Sequence, residues 1–204
     1  MSPRAYDSTL RKQTEAETIH RIIEATVSLH AQKGALATTH ADIAEAAGVS
    51  VATVYKHFPS RESLLPHCSG MVAREAPHID VEAIIGARSR KEKLARLVEA
   101  LHEQYRYFHP WTRWSARDAP SLPALAQLAE QSRQRREILV RTVLDAAAGH
   151  PVDEDTFALA MVILDYPAWQ RLDRMLNDPG RVADAAGHAL QLLMSRLPEQ
   201  KGRK

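Results

Sequence analysis

Apolar residues recur at helical spacing along most of the chain, whereas the alternation typical of β-strands is nearly absent. The first apolar stripe follows Thr14-Glu15-Ala16-Glu17, which has the pattern of a capping box, and we expect its helix to end at Gly34. A second capping-box pattern, Ser89-Arg90-Lys91-Glu92, predicts a helix that ends near His109-Pro110, because the residue before a proline disfavours helical backbone.

Proline, glycine and capping residues delimit the helices predicted for the second half. One helix covers 121–148 and is closed by Gly149. Another covers 153–177 with a bend at Pro167, and the last runs from Asp178-Pro179 to about Leu197. The patterns together predict an all-α protein of about nine helices.

The segment from Thr39 to Phe58 has the pattern of two short helices joined by a tight turn. Gly48 supplies the positive φ that such a turn requires, and Ala44 supplies a small side chain where the helices cross. Thr39 and Ser50 are suited to cap the first and second helix. The apolar residues that would fill the wedge between the helices are Ile43, Ala47, Val49 and Val54. This pattern predicts a helix-turn-helix.

The second helix of this motif, about residues 51–57, carries polar groups on one side. In a helix-turn-helix this helix lies in the DNA major groove, where its side chains reach base edges and phosphates. The candidates are Thr53, Tyr55, Lys56 and His57, followed by Arg61 near the start of the next helix, a position suited to phosphate. The alternative is an ordinary pair of packed helices with solvated polar side chains.

Charge adds little support for nucleic-acid binding. The formal net charge is +2, and residues 1–66 contain seven Lys or Arg and seven Asp or Glu. DNA binding still requires local positive charge at phosphates. The candidates for that charge are Lys56, Arg61 and an arm formed by Arg4, Arg11 and Lys12. The prediction therefore rests on pattern rather than on charge.

The run from Thr38 to Leu65 resembles the DNA-binding region of the TetR family of one-component regulators. The matching elements are Thr38-Thr39, Ile43-Ala44, Ala47-Gly48-Val49-Ser50, Thr53-Val54-Tyr55-Lys56-His57-Phe58 and Ser60-Arg61-Glu62-Ser63-Leu64-Leu65. The resemblance is close over residues 14–66 and only architectural beyond them. The family commonly has glycine where this chain has Ala52, whose Cβ could contact a thymine methyl or limit the approach of the backbone.

The resemblance implies a three-helix helix-turn-helix DNA-binding domain over residues 1–66 and a helical ligand-binding and dimerisation domain over 67–204. It implies a repressor that binds a pseudo-palindromic operator in double-stranded DNA as a homodimer and is released by a small-molecule effector. The DNA-binding set then comprises Thr39, Ser50, Ala52, Thr53, Tyr55, Lys56, His57 and Arg61.

The resemblance also implies that the last two helices form the dimer interface. The final helix carries an apolar stripe of Val182, Ala186, Ala189, Leu190, Leu193 and Leu197. The preceding helix carries Phe157, Ala160, Met161 and Leu164 on one face. An amphipathic pair of helices is also what an internal core requires, so the stripe alone leaves both interpretations open.

A ligand pocket is expected between the helices of residues 89–109, 121–148 and 153–177, with aromatic residues at its entrance. The candidate lining residues are Met71, His102, Tyr105, Phe108, Trp111, Trp114, Gln131, Phe157, Met161 and Trp169. The alternative for each aromatic residue is core or helix-end packing.

Other classes of function have little support in the sequence. His102-Glu103 begins like the zinc motif His-Glu-x-x-His, but Arg106 stands where the second histidine is needed, and no phosphate-binding glycine loop occurs, so we do not expect an enzyme or a cofactor. His67, Cys68 and His78 lack the spacing of a metal site. A helical interaction module without DNA binding is the remaining alternative. We expect a cytoplasmic protein, because the chain has one cysteine, no signal-peptide pattern and no apolar run of membrane-spanning length.

Overall fold

The fold is that of a computed structural model, which describes residues 8–196, with side chains from residue 11 onward. These residues form eleven α-helices, one 3-10 turn and no strand. The helices are α1 (Ser8–Lys33), α2 (His40–Ala47), α3 (Val51–His57), α4 (Arg61–Arg74), α5 (Val81–Ile85), α6 (Arg90–Thr112), α7 (Ser115–Asp118), α8 (Pro123–Ala148), α9 (Glu154–Ile163), α10 (Tyr166–Leu176) and α11 (Pro179–Ser195). The turn is Ala119–Ser121. The predicted arm residue Arg4 and the predicted helix end at Leu197 lie outside the described residues.

Two predicted helix ends are wrong. Helix α1 begins at Ser8, so Thr14 lies inside it, and the Thr14 carbonyl accepts a hydrogen bond from the Thr18 hydroxyl at 2.8 Å. Helix α6 continues past Pro110 to Thr112. Proline removes a single N–H from the helix, and the helical pattern resumes where the Arg113 N–H donates to the His109 carbonyl at 3.1 Å.

The predicted bend at Pro167 is a break between two helices. Helix α9 ends at Ile163, and Asp165 caps α10 by accepting a hydrogen bond from the Tyr166 N–H at 2.9 Å. Pro167 then occupies the first turn of α10, where its missing N–H costs nothing. This break and the short helices α5 and α7 were not predicted, and the described residues form eleven helices instead of about nine.

The chain divides into two compact units. The first contains residues 1–76 together with 109–129, and the second contains residues 77–108 together with 130–204. These bounds differ from the predicted functional division at residue 66, because residues 109–129 pack with the N-terminal helices. The predicted DNA-binding and ligand-binding domains stay a prediction about function.

The core of the first unit holds the helix-turn-helix. Ile22 of α1, Ile43 of α2, Val54 of α3 and Leu64 of α4 are each at most 1% exposed and belong to one cluster. Val54 is the single buried residue of α3. The short helix α3 therefore packs against the core on one side, and its other side is exposed to solvent.

The core of the second unit is built mainly by α6, α8 and α11. Leu94, Leu97 and Val98 of α6 are buried in the same cluster as Val182, Ala186 and Leu190 of α11. The sequence left open whether these last three residues lie in a dimer interface or in an internal core, and the structure places them in the core of the unit. An apolar stripe must be covered, and here the unit's own helices cover it. No helix among the described residues has the length and apolar character needed to cross a membrane.

Candidate nucleic-acid interface

Helix α2 and the following turn have the predicted local structure. Thr39 caps α2 by accepting from the Asp42 N–H at 3.1 Å, while the Asp42 carboxylate accepts from the Thr39 N–H at 2.7 Å. Gly48 has a φ of 64°, and the N–H of the next residue, Val49, donates to the Ala44 carbonyl at 3.0 Å. A left-handed residue at this point lets the chain change direction sharply between the end of α2 and the start of α3.

Helix α3 begins at a cap that also orients a candidate DNA contact. Ser50 accepts a hydrogen bond from the Thr53 N–H at 3.1 Å, and the hydroxyls of the two residues lie 2.8 Å apart. The cap therefore holds the Thr53 side chain against Ser50. Ala52, the next candidate, is exposed, and so is Val51 at 41%.

Tyr55 is positioned by a residue that the sequence interpretation missed. The Tyr55 ring is 51% exposed and stacks on His40, with ring centroids 4.2 Å apart and planes 1° from parallel. His40 is buried, and its Nε2 donates to the Phe58 carbonyl at 2.9 Å. His40 thus connects α2, the end of α3 and the exposed tyrosine, and no short motif reveals this role.

Two basic residues of α3 lie near the same carboxylate. Lys56 Nζ lies 3.5 Å from Glu15 Oε1, and His57 Nδ1 lies 4.0 Å from the same oxygen. Both Lys56 and Glu15 are largely solvated, so this pairing is weak and Lys56 can exchange the carboxylate for a phosphate. Hydrogen bonds from Lys33 and Thr39 hold the pKa of Asp42 well below its ordinary value.

Arg61 does not point freely from the start of α4. Its Nη1 donates to the Leu36 carbonyl at 3.0 Å. The helix is capped by Ser60, which accepts from the Ser63 N–H at 3.2 Å, and it passes through Pro66 without ending. Arg61 is therefore bound to the loop after α1, and its predicted phosphate contact stays a prediction.

The C-terminal end of α1 is held by side chains far away in sequence. Helix ends leave carbonyl groups without helical partners. The Trp111 indole donates to the Val27 carbonyl at 2.9 Å, and the Trp114 indole donates to the Ala31 carbonyl at 3.1 Å. Arg113 also donates to Ala31, at 2.9 Å, and Arg117 donates to Lys33 at 2.7 Å. We call residues 111–118 the brace.

Asp118 completes the brace. Its carboxylate is fully buried and accepts from the Leu36 N–H at 3.1 Å and from Arg117 Nε at 2.6 Å. Burial opposes ionisation, but these hydrogen bonds outweigh it and keep the pKa of Asp118 below its ordinary value. Nearby His30 is buried, and desolvation lowers its pKa to about 4, against the attraction of Asp118.

The predicted ligand-binding residues are divided between the two units. Met71 packs against the core of the first unit, and Trp111 and Trp114 belong to the brace. Gln131 is exposed, and Phe108 packs edge-on against Tyr107. The aromatic residues among them pack as the alternative interpretation predicts, whereas ligand binding by any of these residues stays a prediction.

The other candidate aromatic residues fill the second unit. Tyr105 is buried between Trp169 and Tyr166, with ring centroids 5.9 and 5.7 Å away, and its hydroxyl donates to the Leu164 carbonyl at 2.5 Å. Burial raises its pKa. Phe157 and Met161 pack against the same core. An open cleft of about 650 Å³ lies elsewhere in this unit, between α6 and α11, and the buried candidate His102 lines it.

The described residues contain no group of three or more His, Cys, Asp or Glu side chains that could hold a metal ion. Cys68 is buried in the first unit, and desolvation raises the pKa of its thiol to about 12. Such a thiol is almost wholly protonated at neutral pH and is a poor nucleophile.

Comparison with known proteins finds similarity to a family of regulators in the helix-turn-helix region. Residues 22–68 match the model of the bacterial regulatory proteins of the tetR family. The HTH-type transcriptional regulator LuxR of Vibrio harveyi is 34% identical over 83 residues, which are 41% of this chain and 40% of LuxR. The chain thus matches less than half of the length of this relative.

Two solved structures share the fold over almost the whole chain. A TetR transcription regulator from Haloarcula marismortui has a TM-score of 0.63 at 16% identity, covering 89% of this chain and 98% of that one. A regulator from Saccharomonospora viridis in complex with choline has a TM-score of 0.60 at 18% identity, covering 89% and 96%. The chain therefore resembles the bacterial regulatory proteins of the tetR family over residues 22–68, and it shares its fold with these solved structures over almost its whole length.

Proposed function

We propose that this chain is a ligand-responsive regulator of transcription, which binds a pseudo-palindromic operator as a homodimer and is released by a small molecule. It acts as a repressor by occluding a promoter. The observation that carries the proposal is the local geometry of α3, a capped helix whose one buried residue is Val54 and whose polar side is exposed. The family consists of regulatory proteins rather than enzymes.

In this proposal α3 lies in the major groove. Ala52 and Thr53 stand near its N-terminal end, which is the part of a recognition helix that contacts base edges. Tyr55 and Lys56 contact phosphates, which fix the register of the helix. His40 supports this by stacking on the tyrosine ring, and Lys56 exchanges Glu15 for a phosphate.

The proposed dimer uses exposed rather than buried apolar residues of the last helices. Leu159 and Val162 of α9 are 53% and 68% exposed, and Leu192 of α11 is 57% exposed. Helices α9 and α11 pack against each other. A second copy would cover such side chains and remove their apolar surface from water. A twofold dimer then presents two α3 helices to half-sites about one DNA turn, roughly 34–36 Å, apart.

The proposed effector acts by binding more tightly to a dimer in which the spacing of the two α3 helices differs from that in the DNA-bound dimer. A ligand changes operator affinity only through its different affinities for the two states. Helix α6 is continuous from the second unit into the brace, which holds the end of α1, so a ligand-dependent shift of α6 has a covalent route to the DNA-binding helices. The choline complex of the Saccharomonospora viridis regulator supports a small organic effector by analogy.

The first test is selection of bound sequences from a random duplex pool at a stated salt concentration. Enrichment of a pseudo-palindrome is expected. A folded dimer that enriches no sequence, with or without candidate effectors, contradicts the proposal and favours a helical interaction module.

The second test uses the selected operator and single substitutions. Lys56→Ala should weaken binding similarly for all sequences and reduce the slope of log K against log salt by about one, as expected for one phosphate contact. Arg135→Ala, which removes an exposed positive charge from α8, is the matched control and should leave the slope unchanged. Equal slopes for the two variants would show that Lys56 does not contact phosphate.

A further inference from the structure

The open cleft between α6 and α11 has two walls that each come from one helix face. Helix α6 contributes Lys91, Ala95, Glu99, His102 and Arg106. Helix α11 contributes residues from Pro179 to Gln191, among them Ala183, Asp184 and Gly187. The apolar residues proposed for dimerisation, Leu159, Val162 and Leu192, do not line this cleft.

His102 lies in the wall of the cleft without a polar partner. It is 1% exposed, and neither of its ring nitrogens has a hydrogen-bond partner among the described residues. Burial and the nearby Arg106 lower its pKa to about 4, so the ring is neutral at pH 7. A neutral imidazole presents one N–H donor and one nitrogen acceptor. Because a buried polar group without a partner is costly, the N–H of this side chain calls for a hydrogen-bond acceptor.

The cleft is open because a side chain is missing from its wall. Gly187 is buried on α11, yet a Cβ placed on it would meet no heavy atom within 4 Å. Ala95 and Ala183 are also small. Protein interiors normally fill such spaces, and a glycine within a helix is less stable than an alanine. A longer side chain at Gly187 would occupy the cleft without a clash at Cβ.

The charged residues of the cleft are balanced in sign. Lys91 and Arg106 carry positive charges, and Glu99 and Asp184 carry negative charges. Within the described part of the chain none of these four side chains forms an ion pair. A ligand with one net charge would meet repulsion as well as attraction, whereas a ligand that carries both signs can pair with both.

We propose that this cleft binds a small zwitterion of the amino-acid type. Its carboxylate accepts a hydrogen bond from the His102 N–H and pairs with a cation such as Arg106. Its ammonium group pairs with Glu99 or Asp184. Such a zwitterion would be the proposed effector. Its effect on operator binding rests on the proposed function, whereas its binding in the cleft does not, because that binding needs no DNA.

The test compares molecules that differ only in charge. L-phenylalanine, 3-phenylpropionate and 2-phenylethylamine share one ring and chain length but are a zwitterion, an anion and a cation. Leucine, 4-methylpentanoate and isopentylamine repeat the comparison with a second shape. Each is titrated into the full chain while the imidazole resonances of His102, assigned with His102→Gln, are followed by NMR. We expect at least one zwitterion to shift these resonances and to bind about tenfold more tightly than both of its singly charged partners, since each lost charge-assisted contact weakens binding.

Two outcomes overturn the proposal directly. The first is no shift of the His102 resonances with either zwitterion up to about 10 mM, above the Kd expected of a specific small ligand. The second is tighter binding of the anion or of the cation, which would assign the cleft to another ligand class.

A matched pair of glycine substitutions tests the location. Gly187→Leu fills the cleft and should weaken zwitterion binding at least about tenfold, whereas Gly70→Leu, also at a helical glycine with no heavy atom within 4 Å of its added Cβ, should not change it. Both variants should retain the circular dichroism and melting transition of the wild type. Binding that survives Gly187→Leu in a folded protein overturns the cleft assignment. Loss of operator enrichment in a chain that still binds the zwitterion counts against the proposed regulatory function alone.

Discussion

Gly34 is the point at which a single methyl group should disturb the brace. It ends α1 with a φ of 87°, a left-handed conformation that residues with a Cβ rarely adopt. A Cβ built there would overlap the Arg117 guanidinium and would lie 2.5 Å from Asp118 Oδ2 and 3.1 Å from Trp114 Cβ. Gly34→Ala therefore adds backbone strain and also displaces the groups that hold the end of α1.

The expected cost has two parts. The left-handed backbone of a residue with a Cβ costs about 1–2 kcal/mol. Displacing Asp118 also breaks its hydrogen bond with the Leu36 N–H, and a hydrogen bond to a charged group contributes about 1.5–3 kcal/mol. We expect Gly34→Ala to lower the free energy of unfolding of the first unit by about 2.5–5 kcal/mol.

The control is Gly48→Ala, which has a similar backbone requirement but no crowded neighbourhood. Gly48 has a φ of 64°, and the nearest heavy atom to its added Cβ is Arg21 Nη1 at 3.9 Å. This variant should lose only the conformational part, about 1–2 kcal/mol. Hydrogen exchange of peptides from residues 11–58 in increasing urea measures both variants within the first unit. If the two substitutions lower the free energy of unfolding equally, the side chains of the brace do not crowd Gly34.

Three further predictions follow from individual side chains. Because the pKa of Asp118 is depressed, its carboxylate stabilises the fold fully above the ordinary carboxyl pKa of about 4, and this stabilisation is lost as pH falls below that value. The difference in unfolding free energy between wild type and Asp118→Asn should therefore become smaller over that pH range. A difference that does not depend on pH would contradict this. Thr39→Ala should destabilise α2 by about 1 kcal/mol through loss of its cap, measured as faster amide exchange in α2, and unchanged exchange would show that the cap contributes nothing. Leu190→Ala should lower the free energy of unfolding by about 2–5 kcal/mol, because Leu190 is 0% exposed. Leu192, in contrast, is 57% exposed, so Leu192→Ala should change stability little but weaken self-association in sedimentation equilibrium. The reverse result would exchange the roles of the two residues.

The helix-turn-helix could be predicted because its requirements are local. A capping hydroxyl, a left-handed glycine and a second cap act within three or four residues of their own positions, so Thr39, Gly48 and Ser50 are visible in the sequence. The supports of the same site were not predicted. The contacts of His40 with Tyr55 and of Glu15 with Lys56 join different helices, and no pattern of neighbouring residues in the sequence indicates them.

The aromatic residues near position 110 show a second limit. Their cluster was predicted to line a pocket entrance, and a buried indole needs an acceptor for its N–H in either case. The acceptors are carbonyls at the end of α1, more than eighty residues away in sequence. The same contacts explain why residues 109–129 pack with the N-terminal helices.

Residue spacing, capping residues and glycine were enough to predict that this chain is helical, where its turn and caps lie, and which faces of its helices are apolar. What covers those faces depends on contacts between helices, which the spacing does not reveal. Val182, Ala186 and Leu190 form a stripe that suits a core and an interface equally, because burial of apolar surface has no direction and does not depend on which chain supplies the partner. The unpaired His102 and the empty space at Gly187 likewise became visible only when α6 and α11 were placed side by side.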